Sequence, residues 1–181
     1  PFGACPECDG LGSKLEVDVD LIVPDKNLTL EEGALVPWNP ISSNYYPTML
    51  EQFCKQFKIP MNIPFEKLTQ SQKNMVLYGS GDATFKFHYE NEFGGVRDVE
   101  IPFEGVAVNV ERRYRETNSD FTREQMRQYM TESECKRCHG FRLNEQALSV
   151  KVGGKNISEV LALSVDDEID FFKDLNLSET D

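Results

Sequence analysis

Histidine occurs only twice in the 181 residues, at His88 and His139, and tryptophan once, at Trp38. Two histidines so far apart suggest no Ser/His/Asp arrangement, and scattered carboxylates define no acid–base pair without a shared buried setting. No stretch approaches the ~18 consecutive apolar residues that span a bilayer. The N-terminus also lacks the basic-then-apolar layout of a secretion signal, so no membrane role is expected. The chain begins at Pro1 rather than Met, which reads as an excised fragment with part of its chemistry elsewhere. Basic residues are in deficit: 19 Lys and Arg against 31 Asp and Glu leave a net charge of −12, the wrong sign for a protein that coats nucleic acid by bulk charge. A complete phosphate loop is missing too. The stretch VGGKN at 152–156 has Gly-Gly-Lys, but Ser149 stands where the first glycine belongs and Asn156 where Ser or Thr would hold magnesium. It reads as a turn, and no catalytic residue is assigned.

What remains is a globular composition, 39% hydrophobic and 28% charged, and a conspicuous set of five cysteines. Four fall in two knuckles, CPECDGLG from Cys5 and CKRCHGFR from Cys135. In a chain without a secretion signal, such pairs point to metal ligation in a reducing compartment such as the cytoplasm, rather than to disulfides. A tetrahedral zinc takes four thiolates at about 2.3 Å. One Cys-x-x-Cys turn supplies two, so Cys5, Cys8, Cys135 and Cys138 are expected to meet around one structural Zn2+. Four cysteine ligands leave no position for a reactive water, which argues against a catalytic zinc. His139 is an alternative ligand, and a redox dithiol an alternative role for Cys-Pro-x-Cys, although DGLGS after Cys8 opposes the helix start that a dithiol needs. Two unrelated free pairs are the remaining alternative. Cys54 lies in PTMLEQFCKQFKI, where Met49, Leu50, Phe53, Cys54 and Phe57 recur at helical spacing, and reads as a small core residue.

The pattern predicts α+β structure: a paired Cys-x-x-Cys base carrying an inserted mixed domain with helices and an antiparallel hairpin. KLEVDVDLIV alternates like a half-buried strand. Helices are expected over about 47–57 and after Thr69, where Gln72 closes a capping box and Gly79 ends the run. ATFKFHYE and GVRDVEIPF, joined by NEFGG, read as a hairpin. GVAVNV starts strand-like, with helix near Phe121. ALSVKVGGKNI reads as strand and turn, and Ser164 with Asp167 caps a last helix through Phe171 and Phe172. Residues 1–29 and 130–181 are read as the metal-binding part, and 30–129 as the insertion.

Charge is uneven along the chain. Seven acids from Asp166 to Asp181, including Glu179 and Asp181, face only Lys173. RRYR at 112–115 gathers Arg112, Arg113 and Arg115 around Tyr114, and the second knuckle carries Lys136, Arg137 and Arg142 without an acid among them. Guanidinium groups bind phosphate bidentately, so these six residues are the candidate DNA-backbone contacts. The competing reading of ERRYRET is a salt-bridged segment using Glu111 and Glu116. Trp38, Tyr45 and Tyr46, in a Pro-rich loop, are candidate partner anchors or core residues. His88, within an alternating run, reads as a cross-strand packing residue.

FGACPECDGLG, SSNYYPTMLE, VLYGSG, PFEGVAVNVERRYRET and CKRCHGFRLNEQALSVKVGGKNI together resemble the UvrA family, the ATPase subunit of bacterial UvrABC nucleotide-excision repair, over essentially the whole chain. The resemblance implies the zinc part of the first signature domain interrupted by the insertion domain. It further implies a parent that dimerises, senses damage in double-stranded DNA, loads UvrB through other segments and hydrolyses ATP at motifs absent from this chain. On that basis the piece itself is not an enzyme. It is expected to serve as a DNA-interaction module that reads backbone and shape rather than base sequence. CPECDGLG also resembles the zinc domain of DnaJ-type co-chaperones, which leaves a protein-interaction or interdomain regulatory module as the alternative.

Overall fold

In the computed structural model, which describes residues 2–39, 44–90 and 94–175, the predicted hairpin is β2 (Thr84–Glu90) against β3 (Val96–Pro102), antiparallel with His88 opposite Asp98. Before it stand β1 (Ser13–Val17), α1 (Val19–Ile22), α2 (Tyr45–Phe57) and α3 (Gln70–Tyr78). After it come α4 (Val106–Glu116), α5 (Asp120–Arg127), β4 (Met130–Glu134), α6 (Glu145–Ser149), α7 (Ile157–Leu161) and α8 (Val165–Lys173). The architecture is mixed helix and strand with two-stranded sheets, β1 with β4 and β2 with β3. Two units partition the chain, Pro1–Leu15 with Glu132–Asp181, and Glu16–Thr131. The division falls within both β1 and β4. Among the described residues no helix is long and apolar enough to cross a membrane.

In the unit of residues 16–131 the hairpin buries Phe85 and Phe87 on one face while Thr84, Lys86 and His88 stay exposed, the period-2 pattern of a half-buried strand. Phe53 of α2 stacks on Phe103 at 3.9 Å between ring centroids and meets Phe85 edge-on at 5.5 Å. Two glutamines one helical turn apart on α2 bind the outer edge of β2. Gln52 donates to His88 O (2.7 Å) and accepts from His88 N (2.9 Å), and Gln56 does the same at Lys86 (2.7 and 3.0 Å). Their amides stand in for a third strand and close that edge. α3 begins with the capping box that Thr69 and Gln72 signal, and ends at Gly79. Gly79 (φ +95) and Gly105 (φ +83) cross backbone to backbone. A Cβ on Gly79 would run into the carbonyl oxygen of Phe103, and one on Gly105 into the amide of Gly79.

Three expectations from alternation are corrected. The β1 strand stops at Val17 because the Asp18 side chain accepts from Asp20 N and starts α1. GVAVNV is helical from Val106, with Val106, Ala107 and Val110 buried and Val108 exposed, a spacing that fits a helix face better than a strand face. ALSVKV holds α6, capped by Asn144 Oδ1 accepting from Ala147 N at 2.8 Å. Only the Val152–Lys155 bridge around Gly153 and Gly154 remains strand-like. Tyr45 and Tyr46 belong to α2 rather than to a loop, and Trp38 is a core residue stacked on Tyr46 at 5.2 Å. Cys54 is fully buried, and burial pushes its thiol up to about 12. Pro40, Ser42 and Ser43, the first residues of the NEFGG turn, and Glu179 and Asp181 lie outside the described residues.

Candidate metal centre and basic surfaces

Each knuckle is a tight turn that points two sulfurs inward, and the two turns share one backbone. The offset between them is 130 positions, so Cys8 faces Cys138 at 3.6 Å between sulfurs. Leu11 N donates to Cys8 O and Phe141 N to Cys138 O, both at 2.9 Å. Cys5 N donates to Arg142 O, and Cys135 N returns the bond to Gly12 O, again at 2.9 Å each. The left-handed residues also match: Asp9 (φ 50) with His139 (φ 49), Gly10 (82) with Gly140 (76), and Gly12 (84) with Arg142 (67). A pseudo-twofold pair of turns therefore brings Cys5, Cys8, Cys135 and Cys138 together.

All four are buried, and their sulfurs lie within 4.8 Å of one another. That spacing fits four thiolates around one ion, since ligands about 2.3 Å from a tetrahedral centre stand about 3.8 Å apart. The cysteines are free of disulfides. Burial pushes the Cys8 thiol up, but the Gly12 amide (3.2 Å from its sulfur) and the neighbouring Cys138 and Cys135 outweigh it and bring it down to about 7. Burial and the facing sulfurs drive Cys138 up to about 11. His139 is outside the cluster, exposed, with Nδ1 3.9 Å from Glu134.

The six basic candidates divide into two kinds. In α4, Arg112 is bidentate to Glu104 (Nε–Oε1 2.5 Å, Nη2–Oε2 3.1 Å) and reaches Glu116 at 3.2 Å. Glu104 also accepts from Asn109, whose Oδ1 accepts from Trp38 Nε1 at 3.2 Å. Arg112 is thus the surface end of a polar chain running into the core. Arg115 pairs with Glu111 at 2.6 Å, and Arg113 lies over the Tyr46 ring, 5.7 Å from its centroid. Lys136 also has a partner. Arg137 and Arg142 have no ion-pair partner among the described residues. Sequence reasoning passed over Phe141 and Leu11, exposed at the same place in the two knuckles; the repeat Cys-x-Gly-Leu and Cys-x-Gly-Phe was the available signal. His88 pairs across the hairpin with Asp98 at 2.7 Å and is exposed.

The model of a family described as the UvrA DNA-binding domain matches residues 18–128. The chain is 65% identical over 179 residues to UvrABC system protein A of Lactiplantibacillus plantarum, covering 99% of the chain and 19% of that relative. Against UvrABC system protein A of Streptococcus pneumoniae it is 62% identical over 184 residues, covering 100% of the chain and 20% of the relative. The chain thus spans about a fifth of the length of these curated relatives. Its fold resembles the crystal structure of UvrA2 from Deinococcus radiodurans, with a TM-score of 0.69 at 24% identity, over 96% of this chain and 22% of that one.

Proposed function

Because the chain belongs to the UvrA DNA-binding domain family, we propose that it is a DNA-contacting module of a UvrA-type repair protein, pinned at its base by one structural zinc ion. The family match across residues 18–128 carries the reading. The clustered sulfurs of Cys5, Cys8, Cys135 and Cys138 are its ligand set, and zinc is the ion because an all-thiolate tetrahedral site in a reducing compartment favours it. In this reading residues 1–29 and 130–181 form the zinc-binding part and 30–129 the inserted domain. The contact is to backbone and shape, because a repair protein must accept any base sequence and detect altered deformability.

The longer protein would supply the rest: ATP hydrolysis, loading of UvrB, dimerisation and discrimination of damaged from intact duplex, in the cytoplasm. The test is anisotropy of a labelled lesion-bearing duplex titrated with the 181-residue chain, together with metal analysis. Salt-dependent binding and one zinc per chain are expected. Absence of binding at low salt would remove the DNA role from this chain, and metal other than zinc would remove the ion. A protein-contacting role is the second reading, favoured by the exposed apolar residues Val165, Ile169 and Phe172 on one face of α8.

A further inference from the structure

The two knuckles have one backbone and opposite surfaces. Where the first places Pro6, Glu7, Asp9, Leu11 and Gly12, the second places Lys136, Arg137, His139, Phe141 and Arg142. Glycine is the unstrained choice at the last position, since a residue with a Cβ is disfavoured at positive φ, and the first knuckle has it. Arg142 takes the same left-handed conformation (φ 67) at a conformational cost. Its stem lies across Gly12, where an added Cβ would come within 2.9 Å of Arg142 Cγ. The first knuckle's glycine therefore leaves room for the second knuckle's arginine and limits where its guanidinium can go.

Of the surrounding acids, Glu7 pairs with Lys14, Glu132 accepts from Ser13, and Glu134 faces His139. Neither Arg137 nor Arg142 makes an ion pair among the described residues, although the Arg137 charge helps to lower the Glu7 carboxyl, and between them in sequence Phe141 stands exposed. Two exposed guanidiniums and an exposed ring within six residues of chain is the combination that tracks a nucleic-acid backbone and stacks on its bases. The insertion arginines offer less, because Arg112, Arg113 and Arg115 are each held by a carboxylate or a ring.

We infer that the second knuckle is a DNA contact in its own right, with Arg137 and Arg142 on backbone phosphates and Phe141 against a sugar or an unstacked base. This rests on the DNA-binding reading above. The first knuckle supplies the variants that test it, since Arg142→Gly and Phe141→Leu install residues that the same backbone already carries at Gly12 and Leu11. Labelled duplexes, one intact and one with an unpaired base, are titrated with the 181-residue chain over a range of salt, and metal content is measured for each variant.

Arg137→Ala with Arg142→Gly should lower the slope of log affinity against log salt by about two units, and Arg137→Ala alone by about one. Phe141→Leu should weaken binding to the unpaired-base duplex by about tenfold and to the intact one less. Arg115→Ala should leave the slope unchanged. If the wild-type chain binds and the double variant keeps its metal, its affinity and its slope, the knuckle is not a contact and the DNA reading stands without it. A wild-type chain that fails to bind even at low salt overturns both.

Discussion

In residues 16–131 the interior is mostly apolar: Phe53, Phe85, Phe87 and Phe103 are buried together with Ile22, Val76, Val106 and Val110. In the other unit the buried cluster is four sulfurs, and beyond them only Gly12, Ser158 and Val160 are buried among the described residues. Val150, Val152, Ile157, Leu161 and Phe172 of that unit are exposed instead. One unit can gain its stability from apolar area removed from water. The other has little such area, but its four clustered sulfurs could hold a metal ion, whose binding energy would act directly as folding energy. Two Cys-x-x-Cys pairs far apart in the chain would then stand in for a core.

Removing the metal should break this comparison most widely. Cys135→Ser, or a chelator, should unfold the cysteine unit while the Trp38 emission of the other unit keeps its native maximum. A simultaneous loss of both signals would show one cooperative unit instead of two. In the opposite direction, Phe53→Ala should cost about 3–5 kcal/mol in residues 16–131, read as an earlier denaturant midpoint by Trp38 fluorescence, with metal stoichiometry unchanged. Gly79→Ala comes next, at about 1–3 kcal/mol. Its Cβ meets the Phe103 carbonyl at a positive φ, and a wild-type midpoint would show that the crossing relaxes freely.

The smallest contrast lies within α4. Arg112→Ala should cost about 1–2 kcal/mol by leaving half-buried Glu104 short of its bidentate partner, whereas Arg115→Ala should stay within about 0.5 kcal/mol, its pair with Glu111 being exposed. Equal midpoints for the two variants would place Arg112 among ordinary surface pairs. Glu104 gives the pH signature. Burial alone would raise its carboxyl, but the Arg112 and Asn109 bonds outweigh burial and hold its pKa below the usual carboxylate range. A lowered folded pKa means the stabilisation is complete above the unfolded value of about 4.3 and is lost as pH falls through the folded one. Glu104→Gln should therefore flatten the acid limb of stability below about pH 4.

Local signals proved legible where a few side chains decide the outcome. The Thr69 and Gln72 capping box, the hairpin alternation of Thr84–Glu90, and the Ser164 cap on Asp167 N all stand as their residues predict. Alternation misled where helix and strand share short apolar runs. Val106, Val108 and Val110 read as a strand until packing buries Val106, Ala107 and Val110 on one helix face. Tyr45 and Tyr46 could be read as loop anchors because nothing local reveals that Trp38 stacks on Tyr46. The six candidate cations looked alike in sequence, since a charge shows its type but not its partner.

By itself the sequence determined which four cysteines could hold a metal ion, the helix caps, the hairpin and the deficit of positive charge, because each depends on residue type at short spacing. Only the tertiary structure decided that distant knuckles share one backbone and meet at their sulfurs. It also decided that Glu104 claims Arg112, and that Arg137 and Arg142 stay without an ion pair among the described residues. Ion pairing and metal geometry act over a few ångströms, and only folding sets those distances between residues far apart in the chain.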